Sequence, residues 1–459
     1  MKYGHKINTQ IHGYDEKGRG YGQIEILPRE MRKVVTPFTA QGDEVVAVFA
    51  KREYGLKICK LDEIVKPSPD RIETTCPHAA TCGGCLWQHI RYEAQLIEKE
   101  RGVRELFDDL GLKEAVRPII PAKKILGYRN RMDFCVGWNG EVGLKEYGTW
   151  NKYVDVQECQ LLKSGVKDIL QTVRELMKQF DLQPWDAKFH KGDVRYIVIR
   201  DGQNTNQRMV TIVVSDASRI SKEARVWLVE RLTTHPNPLI TSLLLGELTK
   251  PTDLSLAESF EVLVGNPWLE ESVNGITYRI HPNSFFQTNS QMAAVLQDEV
   301  ISKIEGSKTL LDLYCGLGFF GIAAAKKQKI EVFGYELDEE AIKLAAENSA
   351  QNGVEDKCRF ESGKAEDLSW KEIKADTVIV DPPRSGLHPR VIKALSEMRP
   401  NKLIYVSCNY HRLKDELPAF VQNYQVESIQ PIDLFPQTPH VEVVVTLRSL
   451  LRQEGVGGS

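Results

Sequence analysis

Two side chains near the carboxyl end of the chain carry reactive groups, a thiol and a carboxyl group, that a buried strand does not need for its stability. Cys408 ends the apolar run "KLIYVSC", which predicts a buried strand, and α/β folds bind ligands at the carboxyl ends of their strands. The cysteine is either a nucleophile, which requires the thiolate, or a buried thiol that fills the core. Glu442 alternates with valines in "HVEVVVTL", so it lies either on the polar face of a strand or in the core as an acid with a function.

A glycine-rich turn and a distant acid predict a cofactor site. In "LDLYCGLGFFG", Gly316 and Gly318 separate a predicted strand from a predicted helix, so the backbone can approach a ligand at the amino end of the helix. Glu336 ends the next predicted strand, about 20 residues further on, where a carboxylate can bind the ribose hydroxyls of an adenosine. The glycine spacing formally fits a dinucleotide as well.

The segment "VIVDPPRSG" helps to identify which adenosine-containing cofactor the site would bind. Asp381, Pro382 and Pro383 directly follow a predicted strand, and the two prolines stiffen the loop. This D-P-P segment resembles the catalytic loop of S-adenosylmethionine-dependent methyltransferases. Together, the three elements favour S-adenosylmethionine over a nicotinamide dinucleotide.

Four cysteines have the spacing of a metal or cluster site. Cys76, Cys82 and Cys85 form C-x5-C-x2-C, and Cys159 follows much later in the chain. Four thiolates fit either a structural zinc ion or a [4Fe–4S] cluster. Three clustered cysteines with a distant fourth favour the iron–sulfur cluster, because zinc sites usually pair their ligands in two hooks. The spacing is not the C-x3-C-x2-C of radical S-adenosylmethionine enzymes.

The remaining cysteines are interpreted as packing residues. Cys315 adjoins the glycine turn and is the rival nucleophile, but its side chain is expected to face the core. Cys59, Cys135 and Cys358 lie in apolar, strand-like settings, where a small buried hydrophobic residue is the default interpretation.

Composition indicates a globular protein without a strong overall charge. The 459 residues are 42% hydrophobic and 27% charged, with a net charge of −3. Residues 1–60 contain eleven Lys or Arg against seven Asp or Glu, a net charge of +4, which is a weak footprint for an RNA-binding module. With neither a signal peptide nor a membrane-spanning run evident, a cytoplasmic location is expected, and structural disulfides are not.

The order of predicted elements divides the chain into three parts. Short strands with glycine turns predict a small β-barrel over 1–62, and a central α+β domain is expected over 70–280. Regular alternation of strands and helices over 281–450 predicts a doubly wound, Rossmann-like methyltransferase domain. The fold class is therefore α/β, with 451–459 expected to be a disordered tail.

Six motifs, in their order and spacing, resemble the RNA uracil-5-methyltransferase family. They are "NSFFQTN", "LDLYCGLGFFG", "YELD", "DPPRSGL", "YVSCN" and "HVEVVVTL". The resemblance implies that Cys408 is a nucleophile that adds to carbon 6 of uracil, and that Glu442 is the base that removes the carbon 5 proton. It also implies that Gln287, Tyr314 and Glu336 contact S-adenosylmethionine, and that Asp381 contacts the cofactor, the edge of the uracil, or both.

The amino-terminal half resembles the 23S ribosomal RNA branch of this family. "GRGYG" in the first sixty residues is similar to a TRAM domain, an RNA-binding barrel, and "CPHAATCGGC" is similar to the branch's iron–sulfur site. The resemblance thus implies a [4Fe–4S] cluster on the four cysteines and a uridine of 23S rRNA as substrate. RNA is the expected partner. No obligate protein partner is expected, and a monomer is the default.

Three other functions remain open from the sequence. The same reaction on transfer RNA is the first alternative, although the transfer-RNA branch typically lacks both the barrel and the cysteine site. Amino methylation of adenine also uses a D-P-P-like loop but needs no cysteine nucleophile. The third alternative is an RNA-binding ribosome-assembly factor without catalysis.

Aromatic and basic residues in "LGYRNRMDF" are candidates for RNA contact. Tyr128 and Phe134 could stack on bases, and Arg129 and Arg131 could bind phosphates. A solvated β-hairpin is the alternative interpretation of this segment.

Overall fold

The computed structural model describes residues 2–27, 30–234 and 240–450. In this part the chain forms a closed barrel, a seven-stranded sheet, a two-stranded hairpin and a second seven-stranded sheet with helices around it. The α/β class predicted from alternating strands and helices is confirmed. The predicted tail 451–459 lies outside the described residues. No helix among the described residues is long and apolar enough to cross a membrane.

The amino-terminal barrel is closed by five strands in the order β1-β2-β3-β5-β4. Their bounds are β1 Lys6–Tyr14, β2 Gly20–Leu27, β3 Glu30–Thr36, β4 Glu44–Glu53 and β5 Leu56–Lys66. Alternate residues of β1 are buried, as expected for a strand with one face in the barrel interior. Ile11, Val34 and Phe49 help to fill that interior. The small barrel predicted from short strands and glycine turns is therefore present.

The central sheet has the order β12-β11-β10-β9-β6-β7-β8. Its strands are β6 Arg131–Val136, β7 Val142–Lys145, β8 Tyr153–Asp155, β9 Val194–Gly202, β10 Gln207–Val214, β11 Ile240–Glu247 and β12 Ser259–Val264. The helices of this region are α1 Tyr92–Asp108, α2 Val166–Gln179 and α3 Lys222–Thr233. Ile169, Val173 and Leu176 form the buried stripe of α2, which packs at helical spacing onto the sheet.

A hairpin and the last sheet complete the fold. The hairpin strands are β13 Leu269–Val273 and β14 Ile276–Ile280; the sheet strands are β15 Thr309–Leu313, β16 Glu331–Glu336, β17 Cys358–Ser362, β18 Thr377–Val380, β19 Lys402–Ser407, β20 Tyr424–Ile432 and β21 Glu442–Ser449. The helices are α4 Ser290–Lys303, α5 Phe319–Gln328, α6 Glu339–Gln351, α7 Pro389–Met398, α8 Tyr410–Glu416 and α9 Pro418–Val421. Apolar residues dominate the inner strands, as expected when helices cover both faces.

The last sheet has the order β17-β16-β15-β18-β19-β21-β20. Strands β15 to β19 are parallel to their neighbours, whereas β21 runs antiparallel between β19 and β20. The chain order reverses between β15 and β18, and ligands bind outside the strand ends at such a switch point. The loops after β15, β16, β18 and β19 therefore share one edge of the sheet.

Helix α1 packs against the last sheet rather than the central one. Val103 and Phe107 of α1 belong to the same core cluster as residues of β15 and β19. Val116, shortly after the helix, forms a parallel bridge with Ile429 of β20. This part of the chain therefore supports the sheet edge where the catalytic candidates lie.

Candidate active site

Cys408 and Glu442 are neighbours because of the strand register. Ser407, the last residue of β19, pairs with Val443 of the antiparallel strand β21. Cys408 follows Ser407, and Glu442 precedes Val443, so both side chains leave the same end of adjacent strands. Because β21 is antiparallel, its first residue lies at the edge where the parallel strands end.

The thiol of Cys408 is partly buried and close to charged groups. Burial first, and then the charges of Glu442 and Asp381, raise its pKa to about 11, although Arg384 opposes this rise. The guanidinium of Arg384 is the charged group near the thiol that lowers its pKa. The thiol is therefore neutral in the resting protein, and Arg384 is the group placed to favour the thiolate.

Three carboxyl groups converge on this edge. Glu442 is buried, and burial, followed by the charge of Asp381, raises its pKa well above the ordinary value, while Arg384 opposes the rise. Burial and then Glu336 raise the pKa of Asp381 to about 7. Acids with pKa values displaced in this way are suited to hold or accept a proton near neutral pH.

Arg384 is a functional candidate that sequence reasoning missed. It directly follows the D-P-P segment, and its backbone carbonyl accepts a hydrogen bond of 3.0 Å from Asn409 Nδ2. This bond ties the loop after β18 to the loop that carries Cys408. The available sequence signal was the position of this arginine directly after the D-P-P segment in "DPPRSGL".

The glycine turn and Glu336 form one hydrogen-bonded unit. Gly316 and Gly318 have φ values of 51° and 81°, a region that favours glycine. Gly316 N donates to Glu336 Oε2 at 3.2 Å, and Leu337 N donates to Glu336 Oε1 at 2.7 Å. Tyr314 also has a positive φ of 64°, a conformation that is strained for a tyrosine. Both predicted positions therefore border the same turn.

Gln287 lies on a different segment, between β14 and α4. Its side chain is buried, and its backbone carbonyl accepts a hydrogen bond of 2.8 Å from Asn130 Nδ2. Arg131 and Arg200 each donate to the carbonyls of Pro282 and Ser284. The central sheet therefore fixes the segment that carries Gln287 beside the last sheet.

Asp312 is a second residue that sequence reasoning missed. It lies within β15 and is fully buried, with Oδ2 accepting a hydrogen bond of 2.9 Å from Gly321 N. Among the described residues, its Oδ1 has no hydrogen-bond partner. Burial, and then the charges of Asp381 and Glu336, raise its pKa to about 8. An acid inside the apolar run "LLDLYC" was the sequence signal.

The four cysteines of the predicted cluster line one pocket. Cys76, Cys82, Cys85 and Cys159 are half-buried and share its wall with apolar side chains. Burial raises the pKa of Cys159 to about 11, and the nearby thiols add to this. Within the described ranges, no group of three or more His, Cys, Asp or Glu side chains has an arrangement that could hold a metal ion.

The other cysteines agree with the packing interpretation. Cys59, Cys135, Cys315 and Cys358 are all buried. Burial, followed by nearby Asp312, raises the pKa of the Cys315 thiol well above its ordinary value. Its burial agrees with the interpretation of Cys315 as a packing residue.

The RNA-facing prediction for "LGYRNRMDF" is partly wrong. Tyr128 and Phe134 are buried in the core cluster of the central sheet and cannot stack on RNA. Phe134 lies in β6 and faces the core, whereas Tyr128 precedes the strand and donates from its hydroxyl to the carbonyl of Pro436 at 3.1 Å. Arg129 and Arg131 do line an open pocket of about 680 Å³, together with the exposed ring of Phe285.

Comparisons with known proteins place this geometry in a family. Residues 263–450 match the family model described as tRNA (Uracil-5-)-methyltransferase. The tRNA (uracil(54)-C(5))-methyltransferase of Pyrococcus furiosus is 34% identical over 419 residues, covering 91% of this chain and 96% of that protein. The 23S rRNA (uracil(747)-C(5))-methyltransferase of Pyrococcus abyssi is 35% identical over 417 residues, covering 91% and 95%.

A solved structure extends the similarity to the whole fold. The crystal structure of Pyrococcus abyssi tRNA (uracil-54, C5)-methyltransferase in complex with S-adenosyl-L-homocysteine has a TM-score of 0.78 and 31% identity. The match covers 96% of this chain and 100% of that chain. The chain therefore belongs to the family of S-adenosylmethionine-dependent RNA uracil-C5-methyltransferases.

Proposed function

We propose that the enzyme methylates carbon 5 of an RNA uridine through a covalent adduct with Cys408, and that Glu442 removes the carbon 5 proton. The register that puts Ser407 opposite Val443 carries this proposal, because it sets a thiol and a buried carboxyl group side by side. Carbon 5 of uracil is a weak nucleophile and its proton is not acidic. The reaction therefore needs both a nucleophile and a base.

Cys408 acts first in the proposed mechanism. Its thiol gives a proton to solvent, and the thiolate forms a bond from Sγ to carbon 6 of the uracil. The electron pair of the carbon 5–carbon 6 double bond moves towards the carbon 4 carbonyl, which becomes an enolate. Arg384, which lowers the pKa of the thiol, stabilises the thiolate against the effect of burial.

Glu442 acts after carbon 5 has gained its methyl group. Bound S-adenosylmethionine supplies that group from its sulfonium and leaves as S-adenosylhomocysteine. The Glu442 carboxylate takes the proton from carbon 5, the electron pair of that bond restores the double bond, and the carbon 6–Sγ bond breaks. Cys408 is released as a thiolate. The charge of Arg384, which opposes the raised pKa of Glu442, favours the carboxylate form that this step requires.

The turn after β15 fits S-adenosylmethionine. A Cβ atom added at Gly316 would meet no atom of the described residues within 4 Å, so the turn borders open space at the ligand edge of the sheet. We propose that Glu336 binds the ribose hydroxyls and that Tyr314 and Gln287 line the same ligand. Asp381 lies between this turn and the catalytic pair, where it can contact the cofactor or the edge of the uracil.

We further propose that Cys76, Cys82, Cys85 and Cys159 hold a [4Fe–4S] cluster. Each cysteine of such a cluster binds a different iron, so the thiols line a cavity instead of converging on one point. A pocket lined by all four fits this requirement. Gly84 N also donates to Cys82 Sγ at 3.4 Å, the kind of hydrogen bond that stabilises a ligating sulfur. A bound cluster would link the two distant segments covalently.

A uridine of 23S rRNA is the first proposed substrate, and transfer RNA is the second. The Pyrococcus abyssi ribosomal relative, aligned over 91% of this chain, supports the first. The second is supported by the solved transfer-RNA enzyme, whose fold matches 96% of this chain. Because that match extends over the barrel, the barrel does not separate the two substrate classes.

One assay tests the reaction and the substrate together. Anaerobically purified enzyme is incubated with methyl-labelled S-adenosylmethionine and either unmodified 23S rRNA or unmodified bulk transfer RNA. The products are digested to nucleosides and identified. 5-Methyluridine in one RNA supports the reaction and names the substrate, whereas N6-methyladenosine as the labelled nucleoside would overturn the proposed chemistry.

A further inference from the structure

We propose that the amino-terminal barrel positions the catalytic base: its β1–β2 loop, through Gly18 and Trp87, holds the segment 433–441 that leads into Glu442. This inference rests on the proposed role of Glu442. It assigns the barrel a part in the chemical step, in addition to any contact that it makes with RNA.

Gly18 packs directly on the segment before Glu442. This glycine is buried, lies between β1 and β2, and has a φ of 72°. A Cβ atom added there would overlap Pro439 Cβ and would lie 2.5 Å from Pro439 Cγ. Pro439 is three residues before Glu442. The barrel loop and the catalytic segment are thus in contact so close that only a glycine fits between them.

Trp87 bonds to both sides of this contact. Its Nε1 donates to the carbonyl of Gly18 at 2.7 Å, and its backbone N donates to the carbonyl of Gln437 at 2.9 Å. The indole is buried and packs against Tyr14 at the end of β1, with ring centroids 5.0 Å apart. Trp87 therefore connects the barrel to the segment 433–441 with a fixed spacing.

The barrel loop is rigid enough to serve as a support. Asp15 Oδ1 accepts hydrogen bonds from Arg19 N at 2.8 Å and from Lys17 N at 3.1 Å. The buried guanidinium of Arg19 pairs with Asp15 at 2.7 Å and with Glu53 of β4 at 3.1 Å. Asp15 therefore closes the loop onto Arg19, and Arg19 ties the loop to the barrel wall through Glu53, which holds Gly18 in position.

The segment 433–441 needs such support. Gln437 has a φ of 69°, which is strained for a residue with a Cβ atom. Its side chain bonds to that of Gln95 in α1 at 3.0 Å. Asp433 forms a fully buried ion pair with Lys99 of the same helix, at 2.7 Å. Helix α1 thus holds one side of the segment, and Gly18 with Trp87 holds the other.

The rival explanation is that the barrel only binds RNA. The substitution Gly18→Ala separates the two explanations, because it displaces Pro439 without removing a charged or aromatic group. Gly4→Ala is the matched control. Gly4 also lies in the barrel with a positive φ of 80°, but an added Cβ there meets no described atom within 4 Å. Trp87→Phe is the second variant, since it removes the donor to Gly18 and keeps an aromatic ring.

The experiment measures single turnover at saturating RNA, RNA affinity, and the amount of covalent enzyme–RNA adduct trapped by denaturation. We expect Gly18→Ala to lower the single-turnover rate at saturating RNA by on the order of 10- to 100-fold, as for a misplaced catalytic group. The methylated adduct should accumulate, because the base acts after methyl transfer. Affinity for RNA should change less than twofold. Trp87→Phe should show the same pattern more weakly, and Gly4→Ala should match the wild type.

Glu442→Gln in the same series tests the underlying assignment separately. If this variant accumulates adduct but Gly18→Ala and Trp87→Phe do not, the base assignment stands and the inference about the barrel is wrong. Weaker RNA binding with an unchanged rate at saturation would also overturn it. If Glu442→Gln does not accumulate adduct, the base assignment fails, and the inference that rests on it is overturned as well.

Discussion

Ser407 and Val443 form a backbone pair across two antiparallel strands, and this pair puts Cys408 beside Glu442. The two catalytic candidates are 34 residues apart in sequence and meet only because β21 returns between β19 and β20. A shift of this register by one residue would turn one of them away from the site. The thiol and the carboxyl group are therefore brought together by one feature of sheet topology.

Removal of the Arg384 charge should slow formation of the adduct. We expect Arg384→Gln to lower the single-turnover rate by on the order of 10- to 100-fold, the effect of losing one nearby positive charge that favours the thiolate. The rate of Cys408 alkylation by iodoacetamide should fall as well, because less thiolate forms. Arg390→Gln, at an exposed position of α7, is the control. Unchanged alkylation in Arg384→Gln would contradict the role assigned to Arg384.

Substitution of the base should stop the reaction after methyl transfer. We expect Glu442→Gln to lower turnover by on the order of 10²- to 10⁴-fold, the usual contribution of a general base. A methylated RNA adduct on Cys408 should accumulate and can be quantified by denaturing gel electrophoresis. Normal turnover, or loss of activity without any adduct, would show that another group removes the proton.

The buried carboxyl group of Asp312 should make stability depend on pH. Its folded pKa of about 8 lies above the unfolded value of ~3.9, so the folded protein binds the extra proton. The contribution of this proton to the free energy of unfolding is complete below about pH 4 and is lost as pH rises towards 8. The loss is on the order of 5 kcal/mol at most. We expect Asp312→Asn to remove most of this loss in chemical denaturation of the ligand-free protein. Asp356→Asn, at an exposed site, should keep the wild-type profile.

Iron content tests the four-cysteine site. We expect Cys85→Ser to lose most of the iron and acid-labile sulfide found in anaerobically purified wild-type enzyme, together with its visible absorption. Cys358→Ser, at a buried position of β17, should retain the iron, the sulfide and the visible absorption. Equal iron in the two variants, or stoichiometric zinc in the wild type, would contradict the proposed [4Fe–4S] cluster.

The sequence predicted elements with strong local signals. The barrel strands, the glycine turn at Gly316 and the alternation of strands and helices depend on local spacing, so they were visible without the fold. The buried state of Cys59 and Cys358 followed from their apolar neighbours in the same way. These predictions agree with the structure because local pattern and tertiary packing favour the same conformation.

Features that depend on tertiary contacts were not predictable. Nothing near Arg384 in sequence reveals that it contacts Cys408, because the loops after β18 and β19 meet only in the sheet. The contact of Gly18 with Pro439 joins residues more than 400 positions apart. Tyr128 and Phe134 were expected to stack on RNA because of their residue type. Burial, which the sequence does not show, decides whether an aromatic ring can stack on a base.

Adduct mapping with a substituted RNA tests the central claim most directly. Substrate RNA that contains 5-fluorouridine blocks the last step, because the base cannot remove fluorine from carbon 5. The enzyme is incubated with this RNA and S-adenosylmethionine, digested, and analysed by mass spectrometry. We expect the methylated nucleotide on the peptide that contains Cys408, with none in Cys408→Ala and a normal amount in Cys315→Ala. An adduct on another residue, or methyl transfer without any adduct, would contradict the mechanism.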